Sequence, residues 1–108
     1  MANFKRDILK AAGNEPIIAI VVGDYAWGGY GDQSTVPDEK RGVVLTWDEA
    51  APMLDYEYDA GFGAPECNAV YAWTADRVIA VSQYVGATWL YSIPRNPTSE
   101  MPKMAGGG

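Results

Sequence analysis

The sequence predicts a single α+β domain: an about five-stranded, mainly antiparallel sheet ending in a three-stranded meander, with two short helices. Three observations carry this. The stretch Ala69 to Ile93, AVYAWTADRVIAVSQYVGATWLYSI, consists of three runs of β-branched and aromatic residues separated by the turn signals Ala75-Asp76 and Val85-Gly86. Two shorter apolar runs upstream, PIIAIVVG and GVVLT, have strand composition. Helical signals occur twice, without the regular strand–helix alternation of a parallel fold. The 108 residues suit one domain, large enough to bury a core without metal or disulfide staples.

Taken in order, Asn3 to Gly13 is expected to be a helix. Asn3 can cap it, Phe4, Ile8, Leu9 and Ala12 fall on one apolar stripe, and Gly13 suits the stop. Its Lys5, Arg6 and Lys10 are expected in solvent. Pro16–Gly23 reads as a central strand with both sheet faces covered, because both side-chain parities are apolar. Asp24–Arg41 is a long loop in which Gly28, Gly29 and Gly31 interleave with Tyr25, Trp27 and Tyr30. It has no phosphate-loop pattern. Gly42–Thr46 is a second strand. Thr46-Trp47-Asp48-Glu49 then forms a capping box opening a helix of about Trp47–Leu54, disturbed by Pro52, with Trp47, Ala50, Ala51 and Leu54 on its buried face. Asp55–Asn68 is a second long loop leading into strands at about Ala69–Thr74, Arg77–Tyr84 and Ala87–Ile93. Pro94 ends the last strand. Residues 96–108 are expected to be a flexible Pro/Gly-rich tail beyond a domain spanning 1–95.

Fourteen acids against eight bases give a net charge of −6. That disfavours direct nucleic-acid binding, which rests on Lys and Arg neutralising phosphates. It suits a basic protein or ribonucleoprotein surface as partner, or solubility alone. No apolar run is long enough to span a bilayer, and the charged N-terminus does not read as a signal peptide, so a cytoplasmic site is expected. One cysteine, Cys67, excludes an intrachain disulfide. The absence of histidine removes Cys-His and Ser-His-Asp chemistry and zinc sites built on Cys and His. Cys67 is therefore read as a small buried residue, and no cofactor is expected.

Asp55, Glu57, Asp59 and Glu66 fall at positions 1, 3, 5 and 12 of a calcium loop, but Ala60 replaces the glycine at position 6 and no exit helix follows. Tight calcium binding is not expected. The same loop alternates acids with Tyr56, Tyr58 and Phe62. Either these aromatics are surface anchors beside carboxylates, or they belong to the core and only the acids are exposed. A similar choice arises on the meander. Tyr71 with Trp73, and Trp89 with Tyr91, share strand faces and either fill the core, which packing favours, or form an open aromatic patch.

The segments GAPECNAVYAWTADRVIAVSQY and SIPRNP resemble parts of small bacteriophage and prophage proteins, over roughly residues 42–97. By analogy with small acidic phage proteins, the resemblance implies a counter-defence inhibitor of the anti-CRISPR kind, acting in the host cytoplasm.

These readings combine into an expected non-enzymatic protein that binds and blocks a macromolecular partner. The two long loops are expected to carry the contact. The first supplies Asp24, Tyr25, Trp27, Tyr30 and Asp32; the second supplies Asp55, Tyr56, Glu57, Tyr58, Asp59, Phe62 and Glu66. The alternatives are an immunity-type protein that neutralises a toxin, and a pocket for a nucleotide signal lined by Trp27, Tyr30 and Arg95. A carboxylate enzyme is a weaker third.

Overall fold

The computed structural model describes residues 2–26, 36–61, 63–84 and 86–105. The chain begins with a two-residue strand, β1 (Ala2–Asn3), and enters helix α1 (Phe4–Ala12). The Asn3 side chain accepts the Arg6 N–H at 2.9 Å, so one of the otherwise unpaired N-terminal donors is satisfied. Gly13 ends the helix at φ 66°, with its N–H on the Lys10 carbonyl. Phe4, Ile8 and Ala12, spaced one helical turn apart, are buried. Leu9, expected on the same stripe, lies at its margin and is 40% exposed.

Strand β2 (Ala19–Tyr25) follows, then a short 3₁₀ turn at Asp38–Lys40, β3 (Val44–Leu45) and helix α2 (Trp47–Leu54). The capping box is complete. The Thr46 hydroxyl accepts the Glu49 N–H, and the Glu49 carboxylate accepts the Thr46 N–H, both at 3.1 Å. Strands β4 (Glu57–Tyr58), β5 (Asn68–Trp73), β6 (Arg77–Tyr84) and β7 (Ala87–Pro94) complete the chain. β1 pairs with β4 in a small separate ladder. The main sheet is antiparallel, with strand order β3-β2-β5-β6-β7.

The meander matches its sequence reading closely. In the first turn the Thr74 hydroxyl accepts the N–H groups of Asp76 and Arg77. In the second, Tyr84 and Ala87 form the closing pair, with Gly86 at φ 83°, a value that favours a residue without a Cβ; the other turn residue, Val85, is outside the described residues.

Register sorts the sheet into two unlike faces. Ile20 opposes Ala72 and Leu45, Val22 opposes Val70, and Ala72 opposes Ile79. All of these are buried in one core with Phe4, Ile8, Ala50 and Leu54, so both helices lie on this inner face. The alternate residues point the other way: Val44, Val21, Tyr71, Ala80 and Tyr91 run across the outer face in register. Tyr71 is 60% exposed and Val44 73%, and no helix covers them among the described residues. This corrects two expectations. Among the described residues the central strand is covered by helices on one face only, and Tyr71, Trp73, Trp89 and Tyr91 are not among the buried core residues. Two short helices cover about one face of a five-stranded sheet, and α1 and α2 are both spent on the same one.

Residues 95–105 have no helix or strand, as the composition suggested, but they are tied down. The Arg95 N–H reaches the Asp76 carbonyl at 2.8 Å, and its guanidinium reaches the Thr74 carbonyl. Further along, the Glu100 carboxylate takes two bonds from the Arg77 guanidinium, at 2.5 and 3.1 Å.

Candidate functional site

The described start of the first loop, at residues 24–26, meets the second loop at one end of the sheet, and Asn68 joins the second loop to β2 beside it. Its side-chain amide donates to the Gly23 carbonyl at 3.0 Å, in β2 one residue before the first loop. Its Oδ1 and its backbone N–H both engage the Tyr56 hydroxyl, in the second. Beside it the Ala26 N–H donates to the Cys67 carbonyl at 2.9 Å, and Tyr25 pairs with Asn68 across a bulge in β2. Asn68 is 1% exposed, so each of these polar bonds offsets the cost of burying it.

The sequence Asp55-Tyr56-Glu57-Tyr58-Asp59 folds by strand alternation. Tyr56 and Tyr58 turn inward, stacked at 5.5 Å and edge-on at 5.3 Å against Phe4. The Tyr58 hydroxyl donates to the Asp7 carboxylate at 2.6 Å. Burial, reinforced by that carboxylate, holds the Tyr58 phenol protonated well above its ordinary range, and burial does the same for Tyr56. Tyr58 is thus a core residue and Tyr56 is half-buried; neither is a free surface anchor, which corrects the sequence reading. The signal was present, since polar–apolar alternation over five residues is a strand pattern.

The acids face outward with different partners. Asp24 pairs with Arg41 at 3.2 Å. Asp55 accepts from the Asn3 side chain at 2.9 Å and lies 3.8 Å from Lys5, which fixes the N-terminal strand to the loop. Asp59 accepts the Gly61 N–H, and Glu66 accepts the Asp59 N–H. Glu57 is exposed on β4. Among the described residues, no Lys or Arg pairs with Glu57, Asp59 or Glu66, and no group of three carboxylate or thiol side chains is arranged to hold a metal. Trp27, Tyr30, Asp32 and Phe62, also expected at this surface, lie outside the described residues, as do Trp27 and Tyr30 as walls of a nucleotide pocket.

No protein-family model matches the chain, and neither the curated proteins nor the solved structures include a similar one.

Cys67 sits under this loop end, 1% exposed, and burial pushes its thiol up to about 12. A protonated, enclosed thiol is a poor nucleophile at neutral pH. The arrangement therefore offers a shaped, acid-bearing surface stitched to a rigid sheet. No helix among the described residues is long and apolar enough to cross a membrane.

Proposed function

We propose that the protein is a non-enzymatic binding protein that uses this loop end to dock on, and block, a basic protein or ribonucleoprotein surface. The observation behind this reading is the Asn68 junction. It ties the second loop to β2 just before the first loop, which pre-organises this part of the surface and lowers the ordering cost of binding. Among the described residues, Asp59 and Glu66 on the second loop have no paired base, nor has Glu57, which borders a depression shared with Lys5 and Arg6, and a net charge of −6 favours a basic partner. Lack of histidine and the enclosed Cys67 fit a protein that binds without nucleophilic chemistry. A phage counter-defence inhibitor acting in the host cytoplasm is the role we favour, with toxin neutralisation as the variant of the same chemistry.

The test is capture from bacterial lysate on the immobilised protein, with bound proteins and small molecules identified by mass spectrometry. The parent is expected to retain a protein in a salt-sensitive way, and Glu57→Lys with Glu66→Lys to lose it. Equal capture by both, or retention of a nucleotide alone, overturns the proposal.

A further inference from the structure

The outer face of the sheet is a second surface, separate from the loop end and independent of its partner. Of the 22 charged residues in the chain, none falls at an outward register position from Val44 on β3 to Ile93 on β7. Tyr71 packs edge-on against Trp73 at 6.4 Å. Beside Tyr71 the residues become small: Gly23, Ala69 and Ala80 floor a depression of about 380 Å³. A Cβ on Gly23 would lie 3.5 Å from that of Ala69, in ordinary van der Waals contact, so small residues at these positions keep the depression open without being forced by backbone packing. Large rings stand next to a hollow of aromatic size.

We propose that this face binds a second copy of the chain, sheet against sheet about a two-fold axis. Three features select that occupant. The first is charge. For two molecules of net charge −6, a face without ions avoids the cost of burying charge, and no described outward register position here carries one. The second is shape. Under two-fold symmetry the Tyr71 ring of each copy meets the hollow of the other, so one projecting group beside one depression satisfies both sides. The third is area. The five strands hold 31 residues (two on β3, seven on β2, six on β5 and eight each on β6 and β7), which at about 16 Å² per residue give a face of roughly 500 Å² per copy, bordered along β7 by the C-terminal segment beside Trp89, Tyr91 and Ile93. Two copies then bury about 1,000 Å², the lower limit for a specific interface. Facing sheets about 10 Å apart, with strands running oppositely, place the two acidic loop ends at opposite ends of the dimer, where like charges repel least. The dimer would present its loop surface twice.

Analytical ultracentrifugation of the purified chain, over roughly 1 to 100 μM where interfaces of this size associate, tests this without any partner. The parent is expected to sediment at twice its 11.7 kDa mass. Tyr71→Lys and, separately, Tyr91→Lys place a charge at the interface and are expected to raise the dissociation constant at least tenfold, with an unchanged circular dichroism spectrum. A parent that stays monomeric, or folded variants that stay dimeric, overturn the proposal. Dilution of the unmodified chain provides a check that needs no variant: Trp73 and Trp89 pass into water on dissociation, so tryptophan emission moves to longer wavelength. Emission that stays fixed through the dissociation range overturns the assignment to this face.

Discussion

The Tyr56 hydroxyl and Asn68 close a two-bond cycle: the hydroxyl donates to Asn68 Oδ1 at 2.9 Å and accepts the Asn68 backbone N–H at 2.9 Å. The pair is twelve residues apart and links the second loop to the first residue of β5. Tyr56→Phe keeps the ring against Phe4 but leaves a buried N–H and a buried carbonyl oxygen without this partner. A loss of about 2 kcal/mol is expected. Urea denaturation at constant m-value reads it directly.

The capping box of α2 gives a second expectation. Thr46→Ala removes the acceptor of the Glu49 N–H and is expected to cost about 1 kcal/mol. The bonds from Thr46 also hold the Glu49 carboxyl below its ordinary range. Because that value is lowered on folding, its contribution is present above the ordinary glutamate range and is lost as pH falls through the folded value. Thr46→Ala keeps the backbone N–H bond to Glu49, the larger cause, and loses only the hydroxyl's, so the difference between parent and variant is expected to shrink by that smaller part on acidification, in denaturation midpoints compared at pH 7 and pH 3.

Alkali acts through the groups under the loop end. The phenols of Tyr56 and Tyr58 and the thiol of Cys67 all titrate higher in the folded chain than their ordinary values, because burial disfavours the charged form. Folding therefore retains protons that the unfolded chain releases. Their effect on stability is nil at pH 7 and grows as pH rises past the ordinary values, 9.0 for the thiol and 10.0 for the phenols. Each group steepens the decline by at most about 1.4 kcal/mol per pH unit. Tyr58→Phe is expected to make the alkaline decline shallower while lowering stability at pH 7 by about 2 kcal/mol, through loss of the bond to Asp7. Chemical denaturation between pH 7 and pH 11 separates the two effects. Over the same range, a thiol reagent is expected to modify native Cys67 far more slowly than the unfolded chain.

The bond between Arg77 and Glu100 fixes the C-terminal segment beside β7. Arg77 also donates to the Ser92 hydroxyl and carbonyl, so its guanidinium is already oriented for the carboxylate. Glu100→Gln is expected to release the segment, with faster trypsin cleavage at Lys103 and no change in the cleavage of the sheet. Equal cleavage rates would show that Arg95 alone holds the segment.

Much of the architecture was determined by the sequence alone, because the forces that fix it act over a few residues. Thr46 and Glu49 form their box across three positions, Asn3 caps its own helix, and Gly86 takes the one backbone angle its turn needs. The meander strands follow from composition and turn chemistry in the same local way. The tertiary structure decided which side of each element faced the core. Apolar residues at both parities of β2 gave no sign of which face the helices would cover, and Tyr56 and Tyr58 gave no sign that Phe4, more than fifty residues away, would take them in. The same holds for the junction at Asn68: a buried amide finds its partners only when distant segments have packed, and its energy depends on all of them at once. Whether the aromatic residues of the meander were core or surface was likewise a question of helix area, since α1 and α2 cover one face and leave Tyr71 and Trp73 on the other.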